Sequence, residues 1–152
     1  RGGAEQKIRK YLVDNNFIDC IIQLPSNLFF GTSIATCIMV LKKGKTDNKV
    51  LFIDASSECV KVTNNNKLTP ENINKIVDTF AQRAEEAHFS HLVEYSEVQE
   101  NDYNLSVSTY VEAKDTREKI DIVKLNAKIA QIVARENELR AAIDQIVAEI
   151  EG

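Results

Sequence analysis

The chain has 152 residues, 43% of them hydrophobic and 28% charged, enough for one ordinary domain or for a small domain with an appendage. No apolar run approaches membrane-spanning length and no signal-peptide pattern opens the chain, so membrane-embedded and secreted classes are not expected. The net charge of −4 conceals an asymmetry: residues 1–49 carry eight Lys/Arg against four Asp/Glu, and residues 50–152 carry eleven against nineteen, so +4 stands beside −8. A basic front and an acidic back suit one surface for phosphate and another for a protein partner. Chance clustering on solvated faces is the plain alternative.

The chain opens on Arg1, not Met, and goes straight into a helix signal, so further sequence is expected upstream. Residues 4–15 predict an amphipathic helix with Ile8, Leu12 and Val13 on one side, ending near Asn15-Asn16. The stretch from Phe17 to Lys43 is the one around which the chain is organised. It holds two apolar runs, Ile18–Leu24 and Ile34–Leu41, of strand length and rich in β-branched residues. Neither alternates cleanly with polar residues, so both are expected to be covered on both faces, in the middle of an α/β sheet. The loop between them is too short for a helical crossover and predicts an antiparallel pair. That loop carries Leu28-Phe29-Phe30 among turn formers, an odd place for two phenylalanines. Ligands of open α/β sheets bind beyond the carboxyl ends of the strands, which makes this loop the candidate functional site.

A basic tail, Lys42-Lys43-Gly44-Lys45, and a short link lead to a third strand, Val50–Asp54. The three cysteines are odd in number, and Cys20 and Cys37 lie inside the apolar strand patterns. Reduced core thiols are therefore expected over disulfides or metal ligands, in a reducing, cytoplasmic compartment. Val60–Lys67 reads as a short extended piece running into a solvated turn at Asn64-Asn65-Asn66. Thr69-Pro70-Glu71 is a strong helix start, with a capping hydroxyl, a proline at the first position and an acid at the positive dipole end. Ile73, Ile76, Val77 and Phe80 predict its apolar face, with the helix running to about Ala87. His88 and His91 form H-x-x-H, but no third ligand at sensible spacing accompanies them, and no metal is assigned. Residues 92–111 alternate weakly and predict irregular structure or short strands joining two parts of the protein.

The last element is the clearest. Ile122, Leu125, Ile129, Ile132, Glu136, Leu139, Ile143, Ile146 and Ile150 keep a strict three–four spacing, an a/d heptad seam with one polar interruption at Glu136. Asp115 and Glu118 offer a start resembling a capping box. A helix of that length, about 45 Å at 1.5 Å per residue, exceeds what a small α/β domain covers. Val133 and Val147 at e positions widen the face towards a bundle. Docking on a helix outside this chain is expected; folding back onto its own domain is the alternative.

Taken together, RGGAEQKIRKYLVDNNFIDCIIQLPSNLFFGTSIATCIMVLKK, KVLFIDAS and DYNLSVSTYV resemble the modification (methyltransferase) subunits of type I restriction-modification systems, which are similar to other adenine-N6 DNA methyltransferases. The resemblance spans essentially the whole chain and is strongest over 1–56. It implies an α/β fold: the late half of a Rossmann-like methyltransferase sheet, then a helical region and a long C-terminal heptad helix. The corresponding divisions are 1–56, a connecting region 57–114, and a docking helix 115–152. The family's cofactor is S-adenosylmethionine, held by a Phe-x-Gly-x-Gly type loop, and its catalytic motif is Asn-Pro-Pro-Phe/Tyr. Neither is present, since the only prolines are Pro25 and Pro70 and no Gly-x-Gly occurs. The chain is thus expected to be inactive alone, with no catalytic residue of its own.

The resemblance places Leu28-Phe29-Phe30 where adenine methyltransferases carry an aromatic that stacks on the flipped-out base, Phe29 first and Phe30 second. Packing beneath the loop is the alternative for both. Lys42, Lys43 and Lys45 become candidate DNA-phosphate contacts, with a solvated basic turn as the alternative. The heptad helix, through Leu125, Ile129, Ile132, Leu139, Ile143 and Ile146, would dock on a separate specificity subunit, with a restriction subunit joining the full complex. A non-enzymatic coiled-coil adaptor and a self-associating scaffold remain the other classes.

Overall fold

A computed structural model describes residues 3–114 and 122–151. The chain forms two compact units that divide between residues 114 and 115. In the first unit, α1 (Ala4–Asp14) leads into β1 (Ile18–Gln23), with β2 (Cys37–Leu41) and β3 (Lys49–Asp54) after it. A small hairpin, β4 (Val60–Val62) and β5 (Asn65–Lys67), precedes α2 (Pro70–Gln82). The unit ends with β6 (Ser90–Glu94), α3 (Tyr95–Glu100) and α4 (Val107–Tyr110).

Four strands make one mixed sheet in the order β2-β1-β3-β6. β1 pairs antiparallel with β2, as the short loop requires, and parallel with β3; β3 pairs antiparallel with β6. The continuous apolar character of β1 and β3 comes from their central place, because period-2 alternation feeds a core on each side. Ile21 and Phe52, partners across β1 and β3, enter one core with Val13 of α1, Val98 of α3 and Tyr110 of α4. Cys20, Ile22, Leu51 and Ile53 enter the other with Ile76 of α2 and Phe89. Burial pushes the Cys20 thiol up to about 12, so it stays protonated.

The second apolar run departs from its expected place. It becomes a strand only from Cys37, and β2 is the edge of the four-stranded sheet, exposed nearly throughout. Cys37 is therefore an exposed thiol, not a core one. The pattern of β2 is that of an interior strand, yet nothing among the described residues pairs with its outer edge.

Residues 92–111 depart further. They do not bridge two parts of the protein but close the first core, through Val93, Val98, Tyr103, Val107, Tyr110 and Val111. The Tyr110 ring stacks on Phe52 at 4.3 Å and its hydroxyl donates to the Asn104 carbonyl at 2.6 Å. Weak alternation failed here because the segment splits between one strand and two short helices whose periods differ.

The helices differ in detail. α1 covers the sheet with its C-terminal half, leaving Ile8 exposed. α2 starts at the predicted cap, with Thr69 and Asn72 in a reciprocal capping box, but ends at Gln82 rather than Ala87 because Arg83 turns left-handed at φ 51°. Ile76 and Phe80 point into the core while Ile73 and Val77 stand exposed, so its buried face is narrower than its apolar face.

In the second unit, α5 (Ile122–Glu151) is an uninterrupted helix of 30 residues. Its six docking candidates are each 47–59% exposed. The proposed capping start at Asp115 and Glu118 falls outside the described residues. No helix among the described residues is long and apolar enough to cross a membrane.

Candidate functional site

The loop between β1 and β2 leaves the sheet at the end toward which both parallel strands run. Its neck is closed by the Leu24 N–H, which donates to the Thr36 carbonyl at 2.9 Å, and by the Gln23 Nε2, which donates to the same oxygen at 3.1 Å. Ala55 N–H donates to the Gln23 carbonyl at 2.9 Å, so the exit of β3 is fixed beside that neck. Pro25 is fully buried and Leu28 packs on the second core. These apolar anchors hold the loop down on one side. Asn27 at φ 52° and Gly31 at φ +77° bend it on the other; Gly31 has open space where a Cβ would lie, so it is needed for its dihedral, not for room.

Between those bends the two phenylalanines project. Phe29 is 50% exposed and Phe30 98%, so the Phe29 ring stands half outside the fold and the Phe30 ring wholly outside it. An aromatic that exposed loses apolar burial worth about 1.5–3 kcal/mol, and a closed, anchored loop holds it there.

The loop is also clamped from the β4–β5 hairpin. Asn66 donates through its backbone N–H to the Asn27 carbonyl and through its side-chain Nδ2 to the Ser26 carbonyl, both at 2.8 Å. The sequence predicts a solvated turn for this stretch. No local signal marks a contact formed across 40 residues.

The three candidate lysines do not gather at this loop. The Lys42 N–H donates to the Phe17 carbonyl at 2.8 Å, which places Lys42 and Lys43, both exposed, at the opposite end of β1. Six strand residues, roughly 20 Å at 3.3–3.4 Å each, separate them from the aromatic loop. Lys45 has a different task. Its side chain is 3% exposed, and its ammonium donates to the carbonyls of Ile18 at 2.8 Å and Lys49 at 2.6 Å, with Asp47 at 3.9 Å. Burial holds its pKa below the usual lysine value. An ammonium so used ties the β2–β3 link to the sheet and does not reach a phosphate.

Beside Lys45 lies the one charged side chain buried in β1. Asp19 accepts from Arg83 Nη1 at 2.8 Å, and Arg83 Nη2 donates to the Lys49 carbonyl at 3.2 Å. The end of α2, β1 and the β2–β3 link are thereby joined. The two histidines have separate partners: His88 Nδ1 lies 3.0 Å from the Glu112 carbonyl and His91 Nδ1 3.1 Å from Glu85 Oε1. No group of three or more potential metal ligands occurs among the described residues.

A nucleoside cofactor needs backbone to approach closely at clustered glycines. Gly3, Gly31 and Gly44 lie at positive-φ turns with nothing within 4 Å of an added Cβ.

The N-6 DNA Methylase family matches residues 1–119. The methylase subunit of the type I restriction enzyme MpnII of Mycoplasma pneumoniae is 50% identical over 152 residues, covering 99% of this chain and 28% of that protein. The corresponding MjaVII subunit of Methanocaldococcus jannaschii is 39% identical over 158 residues, covering all of this chain and 27% of that protein. The crystal structure of the type I restriction-modification methyltransferase subunit from Streptococcus thermophilus superimposes with a TM-score of 0.73 at 45% identity, over 74% of this chain and 24% of that one. A chain from a structural study of complex assembly and conformational transition of the type I system shares the fold alone, at 17% identity and a TM-score of 0.56. This chain therefore spans little more than a quarter of the length of the curated relatives it matches. By the extent of the family match and the identity to these subunits, the chain belongs to the N-6 DNA methylase family.

Proposed function

We propose that this chain acts as one part of an S-adenosylmethionine-dependent DNA adenine-N6 methyltransferase subunit of a type I restriction-modification system, working in the cytoplasm. It supplies the loop that stacks on the flipped-out target base and the helix that docks on the specificity subunit. The observation that carries this reading is the pair of exposed rings, Phe29 and Phe30, on a closed loop at the carboxyl ends of parallel strands. A base taken out of the duplex loses its stacking, and an aromatic face restores about 1–3 kcal/mol of it.

The other roles divide between this chain and the rest of the subunit. The cofactor and the Asn-Pro-Pro chemistry reside in that remainder, and this chain alone is inactive. Its four strands are the late half of a Rossmann-like sheet that continues at the open edge of β2, whose interior-type sequence calls for a further strand. Lys42 and Lys43 meet DNA phosphates away from the target base, at the other end of β1. Of the divisions 1–56, 57–114 and 115–152, the last is the docking helix, whose Leu125, Ile129, Ile132, Leu139, Ile143 and Ile146 receive helices of the specificity subunit. The restriction subunit joins that assembly.

In the complete subunit, Phe29→Ala is expected to lower methyl transfer at least tenfold and to change the fluorescence of 2-aminopurine placed at the target adenine. Unchanged transfer and unchanged fluorescence for both Phe29→Ala and Phe30→Ala would remove the stacking role. A second reading, a non-enzymatic adaptor or self-associating scaffold, is favoured only by the exposed seam of α5, and it predicts association without any effect of the phenylalanines.

A further inference from the structure

The β4–β5 hairpin belongs neither to the aromatic loop nor to the docking helix, yet it is fixed to the loop. Val62 and Asn65 close a two-residue turn, so the next pair, Lys61 and Asn66, turns its backbone groups outward. The outward N–H of Asn66 is the one that meets the Asn27 carbonyl, and its side chain takes the Ser26 carbonyl beside it. The free edge of β5 thus runs along the base of the loop that presents Phe29 and Phe30.

Lys61 is the cross-strand partner of Asn66. Such partners share one face, with Cβ atoms about 4.5–5.5 Å apart. Lys61 therefore leaves the hairpin on the face from which Asn66 reaches the loop, and Lys67, partner of Val60, leaves the opposite face. Lys61 is exposed and has no acid or acceptor partner among the described residues. Residues 60–67 contain no Asp or Glu, inside the stretch 50–152 whose balance is −8. A free ammonium on the hairpin face that meets the base of the aromatic loop brings to one end of the sheet the two chemistries that bind an unstacked nucleotide, charge for the phosphate and a π-face for the base.

We propose that the hairpin is a nucleic-acid-contacting arm: Lys61 meets a backbone phosphate of the DNA strand whose base enters the Phe29–Phe30 loop, and Asn66 is the positioning residue that fixes arm to loop. The proposal rests on the base-stacking reading for its ligand. It supplies a phosphate contact at the end of the sheet that Lys42 and Lys43 do not reach.

The test uses the complete subunit with its specificity subunit, and a duplex bearing the methylation site with 2-aminopurine at the target adenine. Lys61→Ala is expected to weaken binding and to make the slope of log K against log[salt] shallower by about one, while Lys67→Ala leaves the slope at the parent value. Asn66→Ala is expected to change the 2-aminopurine signal at saturating enzyme. A parent-like slope for Lys61→Ala, or an equal slope change for Lys67→Ala, overturns the arm. A parent-like signal for Asn66→Ala overturns the positioning role. The two readings fail separately: the slope reports the phosphate, and the effect of Phe29→Ala on the fluorescence reports the base.

Discussion

Single residues set the frame in which the aromatic loop is held. Asp19 is the buried charge of β1, and its partner Arg83 arrives from the left-handed cap that stops α2. Removing one partner of a buried ion pair strands the other in low dielectric. Because Arg83 is only partly buried, Arg83→Ala is expected near the low end of the range for such pairs, about 3 kcal/mol of lost stability, measured by urea unfolding. A change within experimental error would show that the pair is solvated. Glu58 contributes to the pH dependence, as do Asp47 and Glu71, whose carboxyls are also held below their ordinary values by hydrogen bonds to the backbone. Glu58 accepts from Lys75 Nζ at 2.8 Å and from Asn72 Nδ2 at 3.2 Å, and the Lys75 bond holds its pKa below the ordinary 4.5. A carboxyl depressed in the folded state stabilises above its unfolded value, and that contribution is lost as pH falls through the folded value. Lys75, raised above 10.5 chiefly by the same bond, stabilises below 10.5 and loses this only above its folded value. The unfolding midpoint is therefore expected to fall below about pH 4.5, with Glu58→Gln making the acid limb shallower, and to fall again above about pH 9, where the Cys20 thiol ionises in the unfolded chain but stays protonated in the folded one.

Elements differ in how far their sequences announce their surroundings. β1 and β2 carry the same kind of apolar run, but β1 has neighbours on both edges and β2 on one. The contrast is measurable at their cysteines. A water-soluble thiol reagent is expected to label Cys37 readily in the native chain and to spare Cys20, which is fully buried and held protonated; equal labelling would contradict the central place of β1. α2 is readable at its start because a capping box is local, and unreadable at its end because Arg83 adopts φ 51° for a partner 64 residues away. α5 carries its whole pattern within itself. Its Ile/Leu seam is expected to give concentration-dependent association in sedimentation when no specificity subunit is present, abolished by Ile132→Asp or Ile143→Asp. A monomer at every concentration would leave the heterologous partner as the only cover for the seam.

At the scale of the molecule, the first unit is a four-stranded sheet with β2 and β6 at its edges and a clamped aromatic loop, and the second unit is a heptad helix. Helix, strand, loop and strand over 4–54 were legible because each depends on near neighbours: a capping pattern, apolar runs of strand length, and a loop short enough to force an antiparallel pair. The loop itself stood out because two phenylalanines among turn formers have no local reason to be there. Three things were not legible, all of them long-range. Residues 90–111 enter the core only through pairing with β3 and stacking on Phe52. Lys45 leaves the phosphate candidates because two carbonyls from different segments converge on its ammonium. Asn66 becomes part of the candidate site because a hairpin folds back 40 residues to meet Ser26. Sequence by itself determined the helix starts, the apolar runs that became β1 and β3, and the oddity of two phenylalanines in a turn-rich loop, since propensity, capping and periodicity act over a few residues. Only the tertiary structure decided which polar groups meet, because a buried or bridging partner is chosen by the geometry of the sheet and not by distance along the chain.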